Sequence, residues 1–79
     1  MIDLVFMNEI EMIPVQSSSI KSIGYGTAEM ILRVKFLSGL VYDYLNVPDN
    51  VFEEFLLSSS KGTYLNKKIK NKYRFKKLN

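Results

Sequence analysis

The chain has 79 residues, about half of one typical domain, and its 47% hydrophobic and 24% charged content describes one small globular core. It has no cysteine and no histidine, which excludes disulfides, thiolate chemistry, imidazole acid–base catalysis and the common zinc sites, so no metal or cofactor is expected. The net charge of +3 divides unevenly: residues 1–60 hold three basic groups against all eight acids, a balance of −5, and residues 61–79 hold eight basic groups and no acid, a balance of +8.

Residues 1–11 are hydrophobic without a clean period and read as an appended strand or a loosely docked arm. No apolar run approaches the roughly 20 residues of a membrane span, and Met1-Ile2-Asp3-Leu4 lacks the basic cluster of a signal peptide. A cytoplasmic protein with no membrane partner is the expectation. A single domain over residues 12–79 opens at Met12-Ile13-Pro14. In Val15–Tyr25, Ser17-Ser18-Ser19 precedes Ile20 and Ile23, an irregular strand or a turn of helix leading into one. Gly24-Tyr25-Gly26 then reads as a tight turn.

From Met30 the period becomes two. Met30, Leu32, Val34 and Phe36 alternate with Ile31, Arg33, Lys35 and Leu37, a strand with one buried face. Leu40–Leu45 forms a second strand, and the loop between them decides which side carries Tyr42 and Tyr44. A two-residue loop, Ser38-Gly39, would set Asp43 among aliphatic side chains. A three-residue loop, Leu37-Ser38-Gly39, pairs Val34 with Tyr42, Leu32 with Tyr44 and Arg33 with Asp43 on an exposed face. Leaving a carboxylate in an apolar face costs several kcal/mol, whereas a cross-strand charge pair contributes up to about 1 kcal/mol. The three-residue loop is therefore expected, with Gly39 in the left-handed position that ends it.

Pro48-Asp49-Asn50 starts a helix, with an acid facing the positive end of its dipole. Val51, Phe52, Phe55 and Leu56 recur at helical spacing, Ser58-Ser59-Ser60 ends the helix, and Ser60 can cap the next one. In that second helix Leu65, Ile69 and Tyr73 form an apolar stripe at intervals of four. Lys67, Lys70 and Asn71 lie opposite, and Lys68 and Lys72 flank the stripe. The tail from Arg74 to Leu78 alternates, and reads either as a short paired strand or as a free end. The expected fold is a small α+β unit, a three-stranded antiparallel meander followed by two short helices.

Little here supports catalysis. Asp49 and Glu53, one turn apart, read as a solvated acidic turn rather than a metal site. Ser58-Ser59-Ser60-Lys61 puts hydroxyls beside an amine with no base fixed by the spacing, and a tyrosine nucleophile would have little chain left to complete its site. The protein is expected to be non-enzymatic. Its cationic end is the stronger signal, because a cluster of one sign repels itself unless the acidic body or an external polyanion answers it. The interleaved aromatics match the chemistry of single-strand binding, in which cations meet phosphates and rings stack on bases. Lys61, Lys67, Lys68, Lys70, Lys72 and Arg74 are the candidate phosphate contacts, and Tyr64 and Tyr73 the candidate stacking rings. The expected partner is RNA or another single-stranded nucleic acid. The alternative is a protein-interaction module that sets its basic helix against an acidic partner, or uses Leu4-Val5-Phe6-Met7 as an added strand or a self-association element.

Between Val15 and Tyr73 the sequence resembles the KTSC domain, named for its occurrence at the carboxyl end of some lysyl-tRNA synthetases and found also as small stand-alone bacterial and phage proteins. The resemblance rests on Ser17-Ser18-Ser19-Ile20 with Ile23-Gly24-Tyr25, on Leu32-Arg33-Val34-Lys35-Phe36 with Gly39, and on Tyr42-Asp43-Tyr44 with Val47-Pro48. It continues through Ser60-Lys61-Gly62-Thr63-Tyr64-Leu65-Asn66 to Ile69 and Tyr73. The family often carries a histidine just before the isoleucine of the last helix, where this chain has Lys68. A role resting on an imidazole is thus not carried over, while a lysine there is compatible with a phosphate-contacting role. The attachment to a tRNA enzyme implies an RNA-binding role by analogy, and a phage-encoded modulator of a host protein is the corresponding form of the alternative.

Overall fold

The computed structural model describes residues 10–79. Apart from Ile10 and Glu11, the expected arm lies outside the described residues, and with it Leu4, Val5, Phe6 and Met7. The described elements are β1 (Ile13–Pro14), β2 (Ile20–Gly26), β3 (Ile31–Phe36), β4 (Val41–Tyr44), α1 (Asp49–Leu57), α2 (Lys61–Tyr64), a π-helical stretch (Leu65–Ile69) and β5 (Phe75–Lys77).

All five strands join one antiparallel sheet in the order β1-β2-β3-β4-β5. The expected three-stranded meander with two helices after it is corrected on both counts: the class is α+β, but the sheet has five strands, and the helices fall between β4 and β5. The physical reason is length. β1 has two residues, one of them proline, too few to show a period of two, and β5 has three, all exposed, at the tail that the sequence left open between a paired strand and a free end. These short strands form the two edges, where Pro14 and the lysines of β5 discourage pairing with another sheet.

The central hairpin has the three-residue-loop register. Val34 pairs with Tyr42, Leu32 with Tyr44 and Arg33 with Asp43. The Phe36 amide donates to the Leu40 carbonyl at 2.9 Å, and Gly39 takes φ +99. Arg33 grips Asp43 with two bonds, from Nε at 2.8 Å and Nη2 at 3.0 Å. The face is less open than expected, however, because Asp43 is only 5% exposed. A carboxylate that buried is tolerated because the guanidinium meets both of its oxygens.

β2 corrects the reading of Gly24-Tyr25-Gly26, which continues the strand; the turn comes at residues 27–30. Close approach, not turning, calls for the glycine. A Cβ on Gly24 would stand 2.6 Å from the Glu11 carbonyl oxygen and 2.6 Å from the Ile10 side chain. Its bare backbone therefore admits the incoming chain against the back of the sheet. Met30, expected as the first buried residue of β3, ends that turn at φ 58 and is exposed.

The core lies between the other face of the sheet and the helices. Ile20, Ile23, Leu32, Val34 and Tyr44 contribute from the strands, Val47 from the β4–α1 loop, and Phe55, Leu65 and Ile69 from the helical elements. Each such side chain contributes about 1.5–3 kcal/mol on leaving water. Tyr25 fastens α1 to the sheet: its ring stacks on Phe52 at 5.1 Å, and its hydroxyl donates to the Val47 carbonyl at 2.5 Å. Among the described residues no helix is long and apolar enough to cross a membrane.

Candidate nucleic-acid interface

The last quarter of the chain begins at the expected cap. The Ser60 hydroxyl accepts from the Thr63 amide at 3.4 Å and donates to Thr63 Oγ1 at 2.9 Å, which starts α2. One turn later the helix widens, and the Lys70 amide donates to the Leu65 carbonyl at 2.8 Å, five residues back. Leu65 and Ile69 stay in the core. The expected stripe at intervals of four does not hold to its end, because Tyr73 lies past the helix in the turn that leads to β5. Its side chain still packs on the core, half-buried.

This path divides the eight candidate residues. Lys61 is half-buried and its Nζ donates to the Ser58 carbonyl at 2.6 Å, closing the α1–α2 junction. Tyr64 is likewise engaged internally. Its ring stacks on Phe55 at 5.5 Å, and its hydroxyl donates to the Glu54 carboxylate at 2.8 Å. Burial first, and then that hydrogen bond, push the Tyr64 hydroxyl up to about 12, so it stays a neutral donor at ordinary pH. Lys67, Lys68, Lys70, Lys72 and Arg74 are exposed.

The exposed cations fall in two groups. Lys70, Lys72 and Arg74 surround a depression of about 410 Å³ that Tyr73 and Phe75 also line. Lys67 and Lys68 border a second one of about 320 Å³, beside Tyr64 and the serines after α1. The tail takes the paired form of its two readings, as β5 against β4. Phe75 is 53% exposed and stacks face to face on Tyr42 at 5.1 Å, while Lys76 and Lys77 continue the charge along the sheet edge. The alternation of Arg74–Leu78 was the available signal, and only pairing with β4 gives it a place. Arg33–Asp43 is the one ion pair among the described residues, so none of the eight C-terminal cations is paired with a described carboxylate.

A larger groove of about 460 Å³ opens beside these depressions, between the sheet and the π-helical stretch. Phe36, Tyr42, Tyr44 and Leu65 give it apolar walls, while Ser18, Ser19, Ser38, Asn66 and Lys70 supply polar groups. Lys70 lines both this groove and the depression of Lys72 and Arg74, and the Tyr42–Phe75 stack contributes one ring to each. Among the described residues no group of three or more acidic side chains is placed to hold a metal ion.

Comparison with known proteins follows the same boundaries. The family model of the KTSC domain matches residues 16–73. A small protein of Tsukamurella paurometabola is 41% identical over 61 residues, covering 77% of this chain and 91% of that protein. A lysine–tRNA ligase of Nostoc punctiforme is 40% identical over 63 residues, which cover 80% of this chain but 11% of the ligase. The crystal structure of a KTSC domain protein from Yersinia pestis matches with a TM-score of 0.85 at 35% identity, covering 90% of this chain and all of that one.

Proposed function

The chain belongs to the KTSC domain family, and from that premise and the placement of its cations we propose that it is a small non-enzymatic module that binds RNA or another single-stranded nucleic acid. The observation that carries this reading is the cluster of Lys70, Lys72 and Arg74 around one depression with Tyr73 and Phe75 in its lining. Ammonium and guanidinium groups held near one another gain from a polyanion that releases its own counterions, and adjacent rings suit unstacked bases. Lys67 and Lys68 extend the basic surface along the helix, and Lys76 and Lys77 extend it along β5. Lys61 and Tyr64 are left out of the contact set because their polar groups are bonded within the fold. The protein works in the cytoplasm on this reading, without a membrane partner. The lysine–tRNA ligase that carries a similar segment, an enzyme named for a nucleic acid, is consistent with the assignment.

Titration of a fluorescent single strand at two or more salt concentrations tests the proposal. If four phosphates are neutralised, log affinity falls against log salt with a slope of about −3. Absence of binding at low salt overturns the reading.

A further inference from the structure

We propose that the groove between the sheet and the π-helical stretch seats one base of the bound strand, so that the protein reads a nucleotide and not only a chain of phosphates. This deepens the single-strand reading and rests on it. The groove's volume of about 460 Å³ lies within the range of about 300–1,000 Å³ typical of small-ligand sites. Its walls are the kind a flat heterocycle prefers. Phe36 meets Tyr42 edge to face, at 5.7 Å and 77°, and Tyr42 tilts against Tyr44 at 6.3 Å, so one wall of the groove is built of packed aromatic rings.

Charge complementarity selects the occupant. An apolar side chain of a protein partner would gain nothing from a cation at the mouth. Lys70 stands there, and it also belongs to the neighbouring basic depression. A nucleotide presents a planar ring and an adjacent phosphate, which fits an aromatic slot and an ammonium group reached from the same place. Asn66 supplies an amide that both donates and accepts, suited to a base edge, and Ser18 and Ser19 add hydroxyls. These last three also line a polar depression of about 380 Å³ that continues from the groove toward the start of α2. The strand thus has a path in which base and backbone meet different chemistries.

The experiment compares an oligothymidylate with an abasic sugar–phosphate strand of the same length, at one fixed salt concentration, by anisotropy and by intrinsic tyrosine fluorescence. The intact strand is expected to bind at least about fivefold more tightly, the low end of what one stacked base contributes. It should change the tyrosine emission more than the abasic strand does. Asn66→Phe, at an exposed position on the groove's edge, should lower the affinity of the intact strand toward the abasic value while leaving abasic binding unchanged. Circular dichroism of this variant should match the parent. Equal binding of the two strands by the unaltered protein overturns the base seat and leaves the phosphate surface standing. Failure of both strands to bind at low salt overturns the single-strand reading, and the base seat with it.

Discussion

The body of the molecule and its last quarter treat polar groups in opposite ways. From β2 to α1, groups that leave bulk water find partners: Asp43 takes two bonds from Arg33, and Tyr25 donates to Val47. From Lys67 onward, exposed ammonium groups follow one another with no carboxylate among the described residues to meet them. In the first region charge serves geometry, because an unpaired group in the core would cost more than it contributes. In the second, charge is surplus to folding, and its mutual repulsion is a cost that a polyanion can relieve.

Substitutions in the body should therefore be read in stability, and those in the last quarter in binding. The largest expected loss is at Phe55, fully buried and stacked beneath Tyr64. Phe55→Ala should lower the unfolding free energy by about 3–5 kcal/mol in a urea titration, and a loss below about 1 kcal/mol would contradict the packing described. Arg33→Ala comes next, at about 2–3 kcal/mol, because it strands the buried Asp43 carboxylate. Replacing both residues together by apolar ones should cost less than that single change. If the double variant is the worse of the two, the pair does more than satisfy itself.

Tyr64→Phe is the smallest of the stability effects. It keeps the stack on Phe55 and loses the bond to Glu54, for about 0.5–1.5 kcal/mol. Its pH dependence distinguishes it from a packing defect. The folded pKa is raised from 10.0 to about 12, so the contribution of this group is complete below pH 10 and disappears as pH climbs from 10 to 12. The gap between parent and variant should narrow across that window. A constant gap would show that the hydroxyl environment is not as described.

Much of the central fold was legible because burial makes certain errors expensive. One carboxylate, Asp43, selects the β3–β4 register, since the competing loop would bury it unpaired. The cap at Ser60 and the start of α1 at Pro48-Asp49 follow from local chemistry alone. β1 was not legible, because two residues carry no period, while the alternation of Arg74–Leu78 left β5 open between a paired strand and a free end. Gly24 was read as a turn signal, since nothing local shows that Glu11 and Ile10 cross behind it. At the interface, exposure of Lys67–Arg74 could be anticipated from charge, whereas the internal engagement of Lys61 and Tyr64 depends on partners in α1 and the loop after it. The groove was hidden for a similar reason. The hairpin register puts Tyr42 and Tyr44 on the core side, but only the docking of the π-helical stretch leaves an opening in front of them.

The most direct test of the division between a body that folds and an end that binds is the triple variant Lys67→Gln, Lys70→Gln and Lys72→Gln. The measurement is its salt-dependent affinity for a single strand, alongside its urea stability. The account predicts a salt slope shallower by about 2, from three lost phosphate contacts, with unfolding free energy within about 0.5 kcal/mol of the parent. An unchanged slope and affinity would contradict it.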